Sequence, residues 1–355
     1  MSLPAESGTT TGRSTASTLL NVLIAVVLLL FIAGGILELI PASYYALTPG
    51  QAISVDPMIR VTGFPPVHTK GKLFMTDVSV AQVDHLLEEL YWRTRPNVEL
   101  DPETTVRGNL SAGQYIQLNN QLMNDSIRKA EVAALTVARG YKLHFKQAGP
   151  EVVFIVPNSP AVSKLQAGDI IKSINGVRTR DAGQVSPLVK RHSPGSVLHL
   201  QILRKGRPES IAVRTVASTN GVPTKHGKTP LVGVYVEDQI ALPIQIQIQP
   251  GDIGGPSAGL VFSLGLIERL QRRDITKGCR VAGTGTIDFS GAVGPIGGAQ
   301  QKVVAAENAG ASYFLVPASG GNARDAKKAA NHIAVIPVKS LRQALNFLNL
   351  LKPCR

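Results

Sequence analysis

Residues 18–37 run 20 positions without a charge, dominated by Leu, Val, Ile and Ala. A helix of that length, at roughly 1.5 Å per residue, spans about 30 Å, the apolar thickness of a bilayer. The pattern then changes period. Residues 53–62 and 72–80 alternate apolar and polar positions, which predicts strands. Val83, Leu86, Leu87 and Leu90 fall at helical spacing, and residues 119–138 read as a second helix. Residues 152–156 predict a strand and 185–191 a helix. Residues 198–204 and 209–216 predict a hairpin turning at Lys205-Gly206. Further on, Leu260, Val261, Leu264, Leu266 and Ile267 mark a strongly apolar helix, residues 281–288 a strand, and Val303 to Ala306 the interior of another helix.

The apolar run bears on location. A cleaved signal peptide is the rival to an anchor, but its apolar region is usually shorter. No clear small-x-small site follows in Pro41-Ala42-Ser43-Tyr44-Tyr45, and tyrosines suit a membrane interface. The expectation is an uncleaved anchor. Arg13 is the only basic residue before it and none follows until Arg60, which favours a cytoplasmic N-terminus with the bulk outside.

The formal charge is +13, unevenly placed: residues 136–216 carry 13 basic and 4 acidic groups. Such a segment suits an anionic membrane surface or acidic peptides. Without aromatic interleaving or a nucleic-acid motif, nucleic-acid binding is not expected. The two cysteines, Cys279 and Cys354, give neither metal spacing nor a disulfide framework, and both read as free. Seven scattered histidines form no ligand cluster, so no metal and no cofactor is expected.

Candidate chemistry lies in two short segments. Asp252-Ile253-Gly254-Gly255-Pro256-Ser257-Ala258-Gly259 offers a serine on a tight bend before a helix, and Gly294-Pro295-Ile296-Gly297-Gly298-Ala299-Gln300-Gln301-Lys302 leads to a lysine among apolar neighbours. Alone, the first is an ordinary helix start, where Pro and Ser are both favoured. Together they offer more. A serine hydroxyl needs a base, and a desolvated lysine can be that base. Ser-Lys pairs are a variant of the serine hydrolase arrangement.

With Val281-Ala282-Gly283-Thr284-Gly285-Thr286-Ile287-Asp288 between them, these segments resemble the proteolytic domain of the Lon family over residues 231–351. The family's Gly-Pro-Ser-Ala-Gly carries its nucleophile, and its Pro-Ile-Gly-Gly leads into the helix with its lysine. The resemblance implies Ser257 as nucleophile, Lys302, 45 residues later, as general base, and Thr284 as an orienter of the lysine. It also implies a homo-oligomeric ring, hexameric by family habit. Two positions depart from the family: its acidic residue three before the serine is Gly254 here, with Asp252 nearby, and the acid of its Thr-Gly-Glu strand is Thr286.

The series Ser159-Pro160-Ala161, Gly168-Asp169-Ile170-Ile171 and Ile174-Asn175-Gly176 resembles PDZ domains of bacterial extracytoplasmic proteases. This implies binding of extended peptide ends, with residues 185–191 lining the groove and Arg139-Gly140-Tyr141 as candidate carboxylate loop. Residues 221–229 end in Gly-Lys-Thr, but five residues separate the glycines where a phosphate-binding loop needs four.

The expected architecture is α+β and multidomain. A tail (1–17) precedes a transmembrane helix (18–40) and a membrane-proximal α/β region (44–137) in which no chemistry is read. A PDZ domain (138–217), a flexible linker (218–230) and a Lon-like α/β proteolytic domain (231–352) follow. The expected activity is ATP-independent serine endopeptidase action on exported or membrane-associated polypeptides. The alternative is a catalytically silent PDZ-based scaffold or regulatory subunit. The linker reading makes the PDZ a tether that concentrates substrate rather than a gate.

Overall fold

The structure is a computed structural model that describes residues 14–67, 69–108, 110–138, 144–145, 149–218 and 229–354. The chain divides into two compact parts: residues 1–48 with 79–108, and residues 49–78 with 109–355.

The first part begins with the helix Ser14–Leu39, whose stretch Thr18–Leu39 is long and apolar enough to cross a membrane. Leu23, Leu30, Phe31 and their apolar neighbours are uncovered by protein. Residues 44–47 then pair antiparallel with Glu99–Pro102, and the helix Leu86–Arg93 lies between the two in sequence.

The second part is organised by parallel strands. Ala334–Val338, Tyr313–Pro317 and Arg280–Gly283 lie side by side, and Arg280–Gly283 pairs in parallel with residues 72–75. Residues 49–54 follow in the order. Side chains alternate faces along a strand, and helices cover both faces of such a sheet. Val281 and Leu315 belong to the core under the helices Ala112–Val137, Gly259–Gln271 and Leu341–Leu350. Ala282, Phe314 and Val316 belong to the opposite core, with residues of the helices Ala299–Asn308 and Asn322–Ala329. The chemistry-bearing helices thus start from opposite faces of one sheet.

The sheet of the segment that resembles a PDZ domain runs Arg207–Arg214, Val197–Arg204, Ile170–Ile174, Glu151–Ile155, Val234–Glu237, with Val177–Arg178 paired to Ile170–Ile174. The expected hairpin forms. Leu198, Leu200 and Ile202 point inward in strict alternation, and Lys205 and Gly206 make the turn with φ of 49° and 80°. Asp169, from the Gly-Asp motif, is buried and accepts bonds from Arg204 Nε at 2.9 Å and Nη2 at 2.8 Å.

Three expectations are corrected. First, residues 44–137 are not one region: residues 49–78 and 109–137 belong to the second part. Residues 72–75 are a strand of its parallel sheet, Ile59–Val61 pairs with Ile246–Ile248, and Ala130, Ala133 and Leu135 of the long helix join the larger core. The PDZ fold is therefore inserted within that unit rather than placed before it. Second, residues 218–230 do not link two domains. Val216–Ala217 pairs with Pro230–Leu231, Ser218 N donates to Thr229 O at 2.8 Å, and the chain then adds Val234–Glu237 to the PDZ sheet. Residues 219–228 and Arg139-Gly140-Tyr141 lie outside the described residues.

Third, the cysteines are not free: Cys279 and Cys354 form a disulfide across 75 residues. The terminus is also held by Cys354 N donating to Lys277 O at 3.0 Å and by Lys277 Nζ donating to the Asn349 and Leu351 carbonyls at 2.6 and 2.8 Å. Such a closure stabilises by roughly 2–4 kcal/mol, mainly by restricting the unfolded chain. Reduction, or Cys354→Ser, is expected to lower stability by about that amount. Urea unfolding with and without reductant reads the loss, and unchanged midpoints would contradict it.

Candidate active site

Ser257 lies in the turn just before helix Gly259–Gln271, at the end of a glycine-rich bend. Gly255 takes φ +88°, which a side chain would resist. The bend is fastened by backbone groups. Gly255 N donates to Asn119 O at 2.8 Å, and Ser126 Oγ donates to Pro256 O at 2.9 Å. The carbonyl of Ser257 itself accepts from Gly285 N at 2.7 Å and from Thr284 Oγ1 at 3.2 Å. Close packing completes the clamp: a Cβ on Gly259 would stand 2.6 Å from Ile287 Cγ2 and 2.8 Å from Ser126 Oγ.

Lys302 comes from the other face, on helix Ala299–Asn308. Its side chain is only 4% exposed, yet its Nζ donates to Ser257 Oγ at 2.9 Å. The two meet just past the end of strand Arg280–Gly283, where Thr284 follows. Sites at the carboxyl ends of strands are the rule in α/β sheets, because helices begin there. Burial pulls the Lys302 ammonium down from 10.5 to about 8, against a smaller upward push from the charge of Asp77. A lysine so placed is neutral in a useful fraction near neutral pH.

Thr284 is fully buried, and its hydroxyl donates to the Ser257 carbonyl rather than to Lys302. It holds the serine side of the pair. Its amide, donating to Leu315 O at 2.9 Å, ties that point to the next strand. The two departures from the Lon pattern also have structural counterparts. A Cβ on Gly254 would lie 2.9 Å from Asn119 Cβ, so Asn119 fills the space beside that position, while Asp252 is exposed. Thr286 pairs with Gly294, where a Cβ would come 2.4 Å from Thr286 Oγ1.

Sequence reasoning missed Asp77, Asn119 and Ser126, all in the region read as carrying no chemistry. Asn119, expected to open a helix, lies inside helix Ala112–Val137, which starts seven residues earlier, and the sequence gives no sign of its contact with the serine bend. Among the described residues no group of His, Cys, Asp and Glu could hold a metal ion.

Residues 235–349 match the family model of the Lon protease (S16) C-terminal proteolytic domain, and residues 120–215 match that of the PDZ domain. Among curated proteins, Lon protease 2 of Bacillus subtilis (strain 168) is 25% identical over 209 residues, 57% of this chain and 34% of that protein. The Lon protease of Trichlorobacter lovleyi is 33% identical over 115 residues, 32% of this chain and 14% of that protein. The chain thus spans about a third or less of the length of these relatives. Among solved structures, the PDZ domain of the SdrC-like protein from Listeria monocytogenes is 20% identical, covering 26% of this chain and 92% of that one at a TM-score of 0.22. The chain carries a PDZ domain and, in its C-terminal third, a Lon-type proteolytic domain.

Proposed function

We propose that this chain is a membrane-anchored serine endopeptidase using Ser257 as nucleophile and Lys302 as general base. The observation that carries the reading is the 2.9 Å contact between a buried lysine amine and a serine hydroxyl on a helix-initial bend. Neutral Lys302 takes the proton of Ser257 as Oγ attacks the peptide carbonyl. The oxyanion draws on backbone amides at the start of helix Gly259–Gln271; that of Leu260 is already bonded to Gly285 O, so those of Ser257 and Ala258 are assigned the role. The ammonium then protonates the leaving amine, and water, deprotonated by the same lysine, releases the acyl group.

We read the reaction as independent of ATP: five residues separate the glycines of Gly221–Thr229 where a phosphate-binding loop needs four. Helix Ser14–Leu39 anchors the chain with the protease outside the cytoplasm; the Cys279–Cys354 disulfide supports an oxidising compartment. A hexameric ring follows from the Lon resemblance. The PDZ domain recruits polypeptide ends, and its junction to the protease favours gating over tethering. Asp238 Oδ1 accepts from Ala182 N at 2.7 Å and Gln239 Nε2 donates to Glu151 at 2.7 Å, so the connection is fastened to the PDZ domain. A scaffold without catalysis is the alternative, and it would not react with a serine-directed probe.

Ser257→Ala and Lys302→Arg are each expected to abolish cleavage of a fluorogenic peptide with the fold intact by circular dichroism; wild-type turnover in Lys302→Arg would sink the base assignment.

The rate is expected to rise with pH through about 8 in the wild type, because the unprotonated amine is the active form and Lys302 is held near that value. A profile flat between pH 6 and 9 would contradict this.

The same burial costs stability. A lysine lowered from 10.5 to about 8 in the folded chain penalises folding while it is charged, by about 3 kcal/mol below pH 8. The unfolded chain binds the extra proton between those values, so stability rises with pH across that window. Lys302→Met is therefore expected to raise the melting temperature at pH 7 while abolishing turnover.

A further inference from the structure

Lys302 has more hydrogen-bonding capacity than its pairing with Ser257 uses. An ammonium carries three N–H donors. One goes to Ser257 Oγ, the only hydrogen bond of this amine among the described residues. Thr284, the expected orienter, gives its own proton to the Ser257 carbonyl instead. When Oγ attacks a peptide carbonyl, it turns from the lysine toward carbon, and the newly formed ammonium needs an acceptor. A buried charge without one is strongly disfavoured.

The neighbouring strand supplies an acceptor. The strand of residues 72–75 continues to Thr76, which is 5% exposed. Its Oγ1 is buried and has no hydrogen-bond partner among the described residues. Side chains alternate faces along a strand. Leu73 and Met75 enter the core of helix Gly259–Gln271, and Phe74 enters the core of helix Ala299–Asn308. Thr76, two residues on from Phe74, therefore points toward the helix that carries Lys302. Met75 lies level with Gly283, so the next residues, Thr76 and Thr284, come side by side. The lysine reaches the same height. A Cβ on Gly298 would stand 2.5 Å from Val78 Cγ1, so its helix starts over Val78. That helix leads into Tyr313–Pro317, which is parallel to Arg280–Gly283, so it runs back against the strand direction. From Gly298 to Lys302 the helix covers about 6 Å. From Val78 back to Thr76 the strand covers about 6.6 Å. Lys302 thus comes level with Thr76.

We propose that Thr76 is a positioning residue whose hydroxyl oxygen accepts from the Lys302 ammonium and holds the amine against Ser257. The two threonines then divide the work: Thr284 fixes the serine, and Thr76 fixes the lysine. Packing alone gives no reason for a threonine here, since valine has its shape and spares the cost of an unpartnered buried hydroxyl. Asp77, the next residue, is the charged group that acts on Lys302, and its Oδ1 already accepts from Gln51 N at 2.5 Å. Pro256 and Ala258 on the serine bend and Gln301 and Val303 on the helix carry no charge. The proposal rests on the reading of Lys302 as general base. In an apo site such a contact is long and tightens only as the reaction charges the base.

The test uses the full chain in detergent and a fluorogenic peptide, with kcat and KM read between about pH 6 and 10. A hydroxyl that accepts from the charged lysine favours that form, so its removal favours the neutral amine. Thr76→Val is expected to lower the midpoint of the kcat profile by roughly one pH unit, and the plateau kcat by about tenfold with KM unchanged. Thr76→Ser keeps the hydroxyl and is expected to restore both. A midpoint unmoved in Thr76→Val, whatever happens to kcat, or the same losses in Thr76→Ser, overturns the proposal. Thermal melting against pH separates it from the catalytic reading. In the Ser257→Ala chain, stability rises with pH from the folded-state pKa of Lys302 upward, and adding Thr76→Val is expected to bring that onset down by the same unit. A lowered onset without Ser257-dependent cleavage in the wild type upholds the contact and defeats the hydrolase. An unmoved onset defeats the contact even where cleavage is robust, as does a shift that persists when Lys302→Met is added.

Discussion

A cation driven out of water is the constraint around which this protein is arranged. The Lys302 amine sits among apolar helix neighbours, and its one hydrogen bond among the described residues is to Ser257. Keeping a charge there costs about 3 kcal/mol, a large share of the 5–15 kcal/mol by which domains are typically stable. The cost is borne by the two cores on either side of the parallel sheet. Because Ser257 and Lys302 approach from opposite faces, their separation depends on strand register and helix packing as well as on the bend that carries Ser257. That makes the contact sensitive to anything that shifts the sheet.

The serine bend shows how the fold protects that distance. Its carbonyls at Pro256 and Ser257 are each held, by Ser126 and by Thr284 with Gly285. Its side-chain-free positions admit Asn119 and Ile287 at distances no Cβ would permit. Fastening comes from three separate stretches of chain, so Ser257 is positioned by tertiary structure.

What the sequence showed and what it hid divide along this line. Ser257 and Lys302 were legible because each sits in a short Gly/Pro-rich segment just before an apolar helix, a pattern that survives without neighbours. The Lys205-Gly206 hairpin was legible because strict alternation and a turn dipeptide are local. Asp77 and Ser126 were not, because their partners lie far along the chain; Ser126 reaches Pro256 across 130 residues. The supposed linker misled because the pairing of Val216–Ala217 with Pro230–Leu231 leaves no mark in composition. The disulfide was hidden for the same reason as Asp77: strand start and C-terminal tail meet only after the sheet is built. Thr284 was found as a residue but not as a contact, since a buried position just past a strand does not reveal which of two neighbours its hydroxyl chooses.

The insertion of the PDZ fold into the proteolytic unit has a consequence for biogenesis. Strand residues 72–75 find their partners at 280–283, about two hundred residues later. Closing so long a loop costs entropy before any contact repays it, and such topologies form slowly. The PDZ segment, whose strands lie within a much shorter stretch, can assemble while the first protease strand still waits. Ser257 and Lys302 therefore stay apart until nearly the whole polypeptide has emerged. The pair is thereby absent from the growing chain and arises only when the sheet closes.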